Sequence, residues 1–161
     1  MKKTVKNSSI TMANIMQPQD ANPAGNVHGG VIMKAIDDAA GVVAIRHAGT
    51  LCVTASIDRL DFHHPVFIGD LLVLKASLNI VGKTSMEIGV RVEAENSMKG
   101  IRRHTASAYL TYVALGKDLK PAKVAGLKLK TKKDVRRNRE AHERKMIRLA
   151  EKTMEKASGG A

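Results

Sequence analysis

The 161-residue chain carries 27 lysines and arginines against 15 acidic residues, a formal net charge of +12, and 43% of its residues are hydrophobic. That hydrophobic content suffices for the core of one compact domain and excludes a disordered chain. No apolar run reaches the roughly 18 residues of a membrane span, and the N-terminus lacks the apolar block of a signal peptide, so we expect a soluble cytoplasmic protein. The single cysteine, Cys52, excludes an internal disulfide framework, and its apolar neighbours favour a packed side chain over a nucleophile.

The basic charge is concentrated at one end of the chain. Residues 1–116 hold 12 basic and 9 acidic side chains, whereas residues 117–161 hold 15 and 6. A mildly basic body suits a ligand that carries phosphates. We therefore divide the chain into one folded domain of residues 1–116 and a basic linker and helix of residues 117–161.

In chain order, the first predicted elements are a strand, a loop and a helix. The segment SSITMANIM predicts a short strand, and QPQDANPAGN predicts a loop because it contains two prolines and one glycine. Residues 31–49 follow two glycines and have the length and small side chains of a helix that ends at Gly49. Its apolar side chains are not confined to one stripe, so we expect most of the helix surface to be covered.

Four strands are predicted after this helix. The period of the apolar side chains changes to two, most clearly in MEIGVRVEAE, where one face is apolar and the other is expected to be wet. The other strands are LCVTASIDRLDF, DLLVLKASLNIVG and RRHTASAYLTYVAL, with turn residues between them. A covered helix and a meander with one apolar face predict an α+β fold, in which a five-stranded antiparallel sheet curls around the helix. Because such a sheet leaves edges and one face exposed, and aromatic residues amount to only 2%, we expect a second copy to pair with it.

The C-terminal segment is different in kind. Residues 131–157 are charged and favour a helix, and we expect a surface helix after a flexible linker. The favoured interpretation is a solvated helix that contacts its own oligomer, and the alternative is an arm that binds polyanions. The helix carries one thin apolar stripe, made of Val135, Met146, Leu149, Ala150 and Met154.

Two glycines and an acidic pair mark the candidate site, in the stretch NPAGNVHGGVIMKAIDDAAG. Gly29 and Gly30 open the helix, where free amide groups and the helix dipole favour a phosphate or a developing oxyanion. Asp37 lies almost two turns after Gly30 on about the same face, with small neighbours that leave room for a ligand, so it is favoured as the reacting acid. We expect Asp38 to be packed and ion-paired, although the spacing allows Lys34 to pair with either aspartate.

The string PQDANPAGNVHGGVIMKAIDDAAG resembles the signature of the cytosolic acyl-CoA thioesterases, or acyl-CoA hydrolases, of the hotdog fold. Three further stretches agree with that family in the same order: VTASIDRLDFHHPVFIGD, VGKTSMEIGVRVEAEN and GIRRHTASAYLTYVAL. Together they cover roughly residues 10–116, and the tail lies outside them. The resemblance implies a hotdog dimer, commonly assembled into trimers of dimers, that hydrolyses fatty acyl-CoA to a free acid and CoA. CoA is then part of the substrate, and no separate cofactor is implied.

The resemblance also implies a reacting pair. In this family an asparagine in the loop before HGG and an aspartate within the helix are supplied by different protomers, and the matching positions are Asn22 and Asp37. Asp37, buried in the monomer, would act as a general base on water or as a nucleophile that forms an acyl anhydride. An amide of Gly29 or Gly30 would polarise the thioester carbonyl, and Asn22 would hold the water or the thioester.

CoA phosphates need cationic or amide partners, and the turn GKTS suits them. The candidates are Lys83, Thr84 and Ser85, with Arg102 and Arg103 as further possibilities. We expect no metal site, because adjacent His63 and His64 would point to opposite faces of a strand.

Two alternative functions remain open at the level of sequence. A hydratase or dehydratase of acyl thioesters on the same fold would use a histidine near His28, although here we favour a loop residue that hydrogen-bonds locally. The other alternative is a non-enzymatic module whose basic tail binds nucleic acid or an anionic membrane, and we regard a nucleic-acid partner as the less favoured one.

Overall fold

The structure, a computed structural model, describes residues 2–159. Two helices and seven strands follow in chain order, with short 3-10 turns at Val5–Asn7 and Pro18–Asp20. None of the helices in this range is both long and apolar enough to cross a membrane. The elements are β1 (Lys2–Thr4), β2 (Ile10–Ile15), α1 (Gly29–Ala48), β3 (Cys52–Phe62), β4 (Leu71–Val81), β5 (Ser85–Asn96), β6 (Ile101–Ala114), β7 (Gly126–Lys128) and α2 (Lys132–Ala157).

Five of the strands form one antiparallel sheet in the order β2-β4-β5-β6-β3, and α1 packs against its inner face. The predicted α+β fold with five strands around a central helix is therefore confirmed. Adjacent hairpins set a register that stacks the apolar faces, for example Leu74 opposite Val92 and Val90 opposite Ala108. Alanines on both layers, such as Ala40 and Ala108, let the helix approach the sheet closely, which explains how a core forms with few aromatic side chains.

Helix α1 begins at Gly29, the first of the two glycines predicted to open it, and the His28 side chain caps its first turn. Its C-terminus is closed by Gly49 in the left-handed region, with φ of 72°. Only one face of the helix is buried within the chain, so the expectation that most of its surface is covered was wrong for the single protomer. The residues of the covered face are Ile32, Ile36, Ala39, Ala40, Val43, Ala44 and His47.

The uncovered side of α1 continues onto the edge strand β3. A hydrogen bond between Asp37 of α1 and Thr54 of β3 lies between these two exposed sets of side chains. We call this surface the α1–β3 face, and its exposed apolar members are Met33, Val42, Ile45, Leu51, Val53 and Ile57.

The segment before α2 is held against the domain, whereas the sequence predicted a flexible linker. β7 pairs in parallel with β1, and the amide of Val124 donates to the carbonyl of Lys83 at 3.1 Å. The carbonyl of Ala125 lies 2.7 Å from Nε2 of the buried His47. Backbone groups thus supply the attachment, which composition alone did not indicate.

Helix α2 lies on the outer face of the sheet and binds it through polar groups. Arg137 donates to Ser77, and Asn138 donates to the carbonyl of Asn79, both at 2.7 Å. The face of β5 that was expected to be wet is covered here, and Glu87 is only 2% exposed. The apolar stripe predicted on this helix points away from the sheet and is exposed along its length.

Candidate functional site

The loop before α1 is organised by Asn22. Its side-chain oxygen accepts hydrogen bonds from the backbone amides of Ala24, at 2.9 Å, and Asn26, at 3.1 Å, which folds the NPAGN turn. Its amide nitrogen donates to no residue within 2–159, which leaves it available to a ligand or a second chain.

A pocket of about 320 Å³ lies beside Asn22 at the start of α1. Its walls are largely apolar, and Gly29 forms part of its floor. A Cβ added to Gly29 would lie 3.8 Å from the ring of Phe62, so the backbone is accessible there. The lining residues are Asn22, Asn26, Val27, Gly29, Ile32, Phe62, His63, His64, Pro65 and Val66.

The two glycine amides at the helix start are not equivalent. The amide of Gly30 donates to Nδ1 of His28 at 2.9 Å, and a Cβ on Gly30 would come within 3.1 Å of that nitrogen. His28 is therefore the N-cap of α1, which confirms the prediction of a locally hydrogen-bonded loop residue. The amide of Gly29 is not used by this cap.

Asp37 lies on the α1–β3 face and is held through one of its oxygens. Thr54 Oγ1 donates to Oδ1 at 2.7 Å, and the Tyr112 hydroxyl donates to the same oxygen at 2.6 Å. Asp37 is partly exposed rather than buried in the single chain, because no layer covers this face. The two donors fix the orientation of this half-exposed carboxylate, which is accessible to a ligand or a second chain that covers the face.

The pairing of Lys34 is resolved by the structure. Its Nζ lies 2.7 Å from Oδ2 of Asp38, and both side chains are exposed. The hydrogen bond to Asp38 raises the pKa of Lys34 above its ordinary value. The ion pair expected for Asp38 is confirmed, but its expected packing is wrong, because Asp38 faces solvent.

Asn22 and Asp37 do not contact one another within the chain. Asp37 lies eight residues beyond Gly29, which is about 12 Å along the helix, and it does not line the pocket. One protomer thus contains two separate half-sites, one with Asn22 and Gly29 and the other with Asp37.

The residues predicted to bind CoA phosphates lie elsewhere. Lys83 and Thr84 lie in the turn after β4 and Ser85 begins β5, whereas the pocket residue Val66 lies before the start of β4. The 11 residues of β4, roughly 33 Å of extended strand, separate this turn from Val66 along the chain. The structure does not bring these side chains to the pocket within one chain.

Both candidate arginines are engaged by carboxylates. Arg102 binds Glu95, whose hydrogen bond raises the pKa of Arg102. Arg103 lies 3.7 Å from the buried Asp70 and stacks over the ring of Phe67. Each guanidinium thus already has a carboxylate neighbour in the single chain.

Histidine and cysteine side chains make no cluster of metal-ligand type in the part of the chain that the structure describes. The rings of His63 and His104 lie 5.0 Å apart at a tilt of 57°. Cys52 is half-buried, and burial raises the pKa of its thiol, which disfavours a nucleophilic thiolate.

Two members of the candidate site were missed by the sequence reasoning. Thr54 and Tyr112 lie in segments that were correctly predicted as strands, but their contact with Asp37 depends on where β3 and β6 pass α1. A hydroxyl side chain at the start of the strand after the helix was the only available signal, and many surface threonines share it.

Known proteins match this sequence and fold. The sequence model described as Thioesterase superfamily matches residues 24–101. The cytosolic acyl coenzyme A thioester hydrolase of Rattus norvegicus is 38% identical over 138 residues, which cover 83% of this chain and 36% of that protein. The chain thus spans about a third of the length of this curated relative.

Two solved structures superpose closely. A hexameric acyl-CoA thioesterase gives a TM-score of 0.90 at 34% identity, covering 93% of this chain and 96% of that one. The acyl-CoA hydrolase of Staphylococcus aureus, solved with butyryl coenzyme A and coenzyme A, gives 0.91 at 31% identity, covering 98% and 96%. The fold is that of a hotdog thioesterase domain. The chain belongs to the acyl-CoA thioester hydrolase family of the thioesterase superfamily.

Variants of the Staphylococcus aureus protein have also been solved, with an asparagine, an aspartate or a threonine replaced by alanine. In that protein the aspartate follows the asparagine by 15 residues, and the threonine follows the aspartate by 17. Asn22, Asp37 and Thr54 have the same two spacings in this chain.

Proposed function

We propose that this protein is an acyl-CoA thioesterase that hydrolyses fatty acyl-CoA to a carboxylic acid and CoA in the cytosol. The observation that carries the proposal is the Asp37 carboxylate, held by two hydroxyl donors on an uncovered face that also carries exposed apolar side chains. A carboxylate fixed at such a surface can act as a general base once a substrate is bound and a second protomer covers the face. The matching spacing of Asn22, Asp37 and Thr54 in a solved hydrolase supports the same assignment.

The active unit that we propose is a dimer formed across the α1–β3 face. Exposed Met33, Val42 and Ile45 on the helix would be covered, and the edge strand β3 would pair with its copy. A two-fold axis brings each acidic half-site to the other protomer's pocket, so Asp37 would meet Asn22 of the partner subunit. We further propose a trimer of dimers, since a close structural relative is described as hexameric.

The reaction in such a site needs one water molecule and no cofactor. Asp37 takes a proton from the water as its oxygen attacks the thioester carbonyl, and the carbonyl oxygen gains negative charge. The Gly29 amide, rather than that of Gly30, would stabilise this charge, because the Gly30 amide already donates to His28. The C–S bond then breaks, and the CoA thiolate leaves and is protonated while the carboxylic acid is released.

Substrate contacts divide between the two half-sites. The apolar side of the pocket, with Val27, Ile32 and Phe62, suits an acyl chain. Lys83, Thr84 and Ser85 would bind CoA phosphates only from another protomer, since they lie far from the pocket of their own chain.

The test is release of free thiol from a series of acyl-CoAs of two to sixteen carbons. We expect hydrolysis, and a loss of roughly 1,000-fold or more in Asp37→Asn, since the general base is removed. Asp38→Asn is the matched control and should keep activity, because Asp38 is exposed and ion-paired to Lys34. Undiminished hydrolysis by Asp37→Asn would contradict the assignment. Hydration of crotonyl-CoA without thiol release would indicate a hydratase, and salt-sensitive binding of polyanions without any turnover would indicate a binding module.

A further inference from the structure

The Tyr112 hydroxyl sits between α1 and β6 and contacts Asp37 twice. It lies 2.6 Å from Oδ1 of the carboxylate and 2.8 Å from the backbone carbonyl of the same residue. The ring is 3% exposed and passes over Gly41, where an added Cβ would lie 3.4 Å from the hydroxyl. A phenol packed in this way has one position, and its hydroxyl therefore defines a fixed point beside the carboxylate.

The hydroxyl acts as a donor at every physiological pH. Burial raises the pKa of Tyr112, and the hydrogen bond to Asp37 raises it further, so the proton stays on the phenol. Thr54, which lies directly opposite Tyr112 on the paired strand β3, donates from its Oγ1 to the same Oδ1 at 2.7 Å. Two neutral donors thus converge on one oxygen of the carboxylate, whereas Oδ2 accepts no hydrogen bond from residues 2–159.

We infer that Tyr112 is a positioning residue for the reaction, which locks Oδ1 of Asp37 together with Thr54 so that Oδ2 is the atom that takes the proton from water. This inference rests on the proposed function. A carboxylate held by a single donor can rotate about its Cβ–Cγ bond, whereas two donors from different strands that meet at one oxygen restrict that rotation. The cost of reorienting the base is then met on folding rather than in each turnover.

The charged groups around Asp37 do not provide this positioning. Lys34, on the same helix, is bound to Asp38 and faces solvent. β3 and β6 present only the two hydroxyls to the carboxylate. The orientation of the base therefore depends on neutral donors, and removing one of them changes no charge.

Tyr112→Phe deletes the hydroxyl alone, and Tyr109→Phe is the matched control. Tyr109 lies on the same strand but on the opposite, outer side of the sheet, in a second cavity between the sheet and α2. There the centre of its ring lies 3.7 Å from the Arg144 guanidinium. We expect Tyr112→Phe to lower kcat by about 10- to 100-fold with KM within about twofold, because only orientation is lost. The acidic limb of the kcat/KM profile should move to higher pH by about 0.5 to 1 unit, since a carboxylate that loses a donor is protonated more readily. Tyr109→Phe should change neither quantity.

A second measurement keeps the test independent of folding. The chain contains only two tyrosines, so 3-fluorotyrosine incorporated into Tyr109→Phe labels position 112 alone. A fluorinated phenol is more acidic and donates more strongly, so the acidic limb should move to lower pH, opposite to the effect of Tyr112→Phe. An unchanged acidic limb in the fluorinated protein, or unchanged kcat in a folded Tyr112→Phe, would overturn the inference.

The two failures are distinguishable. If Asp37→Asn keeps its activity, the proposed function itself is wrong. If Asp37→Asn is inactive while both Tyr112 variants behave as the control does, the thioesterase proposal stands and only the positioning role is lost.

Discussion

Arg144 of α2 donates to the carboxylate of Glu87 at 2.6 Å, and it does so across the outer face of the sheet. Glu87 is almost fully buried and accepts a second hydrogen bond, at 3.0 Å, from the side chain of Asn79. The guanidinium also covers the ring of Tyr109. The charge of a buried strand residue is thus neutralised by an arginine that follows it by 57 residues, which makes α2 part of the fold.

Arg144→Met should therefore destabilise the protein by about 3 kcal/mol, because it leaves Glu87 buried without its counter-charge. Adding Glu87→Gln should recover most of this loss, since the neutral amide can keep its bond to Asn79. Unfolding in urea measures both effects. Arg136→Met is the control, because the Arg136–Glu140 pair is exposed and should contribute less than about 0.5 kcal/mol. An Arg144→Met protein as stable as this control would contradict the structural role of the pair.

A site shared between protomers predicts complementation. Asn22→Ala and Asp37→Asn should each be inactive, yet in a mixed dimer one of the two sites receives both native residues. Refolding equal amounts together should restore about a quarter of the native activity, since half of the dimers are mixed and each has one intact site. The assay is thiol release, with each variant refolded alone as the control. Mixed dimers that form but stay inactive would place the pair within one chain.

Thr54 supplies the other donor to Asp37 Oδ1. Thr54→Val keeps the shape of the side chain and removes the hydroxyl, so kcat should fall by about 10- to 100-fold with little change in KM. Thr54→Ser keeps the donor and should remain within a few-fold of the native enzyme. Equal losses in both variants would indicate that packing, rather than the hydrogen bond, is responsible.

The α1–β3 face should be required for assembly and activity together. Val42→Glu places a charge among apolar side chains that we expect to be covered, and it should yield a monomer without hydrolytic activity. Sedimentation measures the mass, and Met98→Glu, in the exposed turn between β5 and β6, is the control. An active Val42→Glu monomer would contradict a site formed by two subunits.

Glu93 should make the folded state sensitive to acid. Hydrogen bonds from Arg91 and Lys75 hold its pKa well below the ordinary value of 4.5, at about 2. A lowered pKa in the folded state contributes stability that is present above pH 4.5 and is lost as the pH falls toward 2. Glu93→Gln should cost about 1–2 kcal/mol at pH 7, because both cations are half-exposed, and almost nothing near pH 2. Glu140→Gln, in an exposed pair, should show a small difference at both pH values in the same urea titration.

The order of the two helices and of the five strands of the main sheet could be predicted from the sequence, and so could a candidate site, whereas the short strands β1 and β7 were missed. Alternation of apolar and polar residues in MEIGVRVEAE indicates a strand, and paired glycines before a long apolar run indicate a helix whose first turn can bind a ligand. Both signals are local in the sequence and can be recognised without the tertiary structure. The pairing of Lys34 was not predictable, since Asp37 and Asp38 are both within reach along the helix. The backbone attachment of the linker was also missed, because main-chain hydrogen bonds leave no trace in side-chain composition.

The sequence by itself thus determined the helix, the five strands and the candidacy of Asn22, Gly29 and Asp37. The tertiary structure decided which aspartate is held by hydroxyls, which glycine amide is capped, and that α2 covers Glu87. Each of those outcomes depends on side chains from elements far apart in the chain, such as Thr54 and Tyr112 meeting at Oδ1 of Asp37. Sequence periodicity specifies which face of an element is apolar, but the register of β3 on β6 and the placement of α1 across them decide which side chains meet.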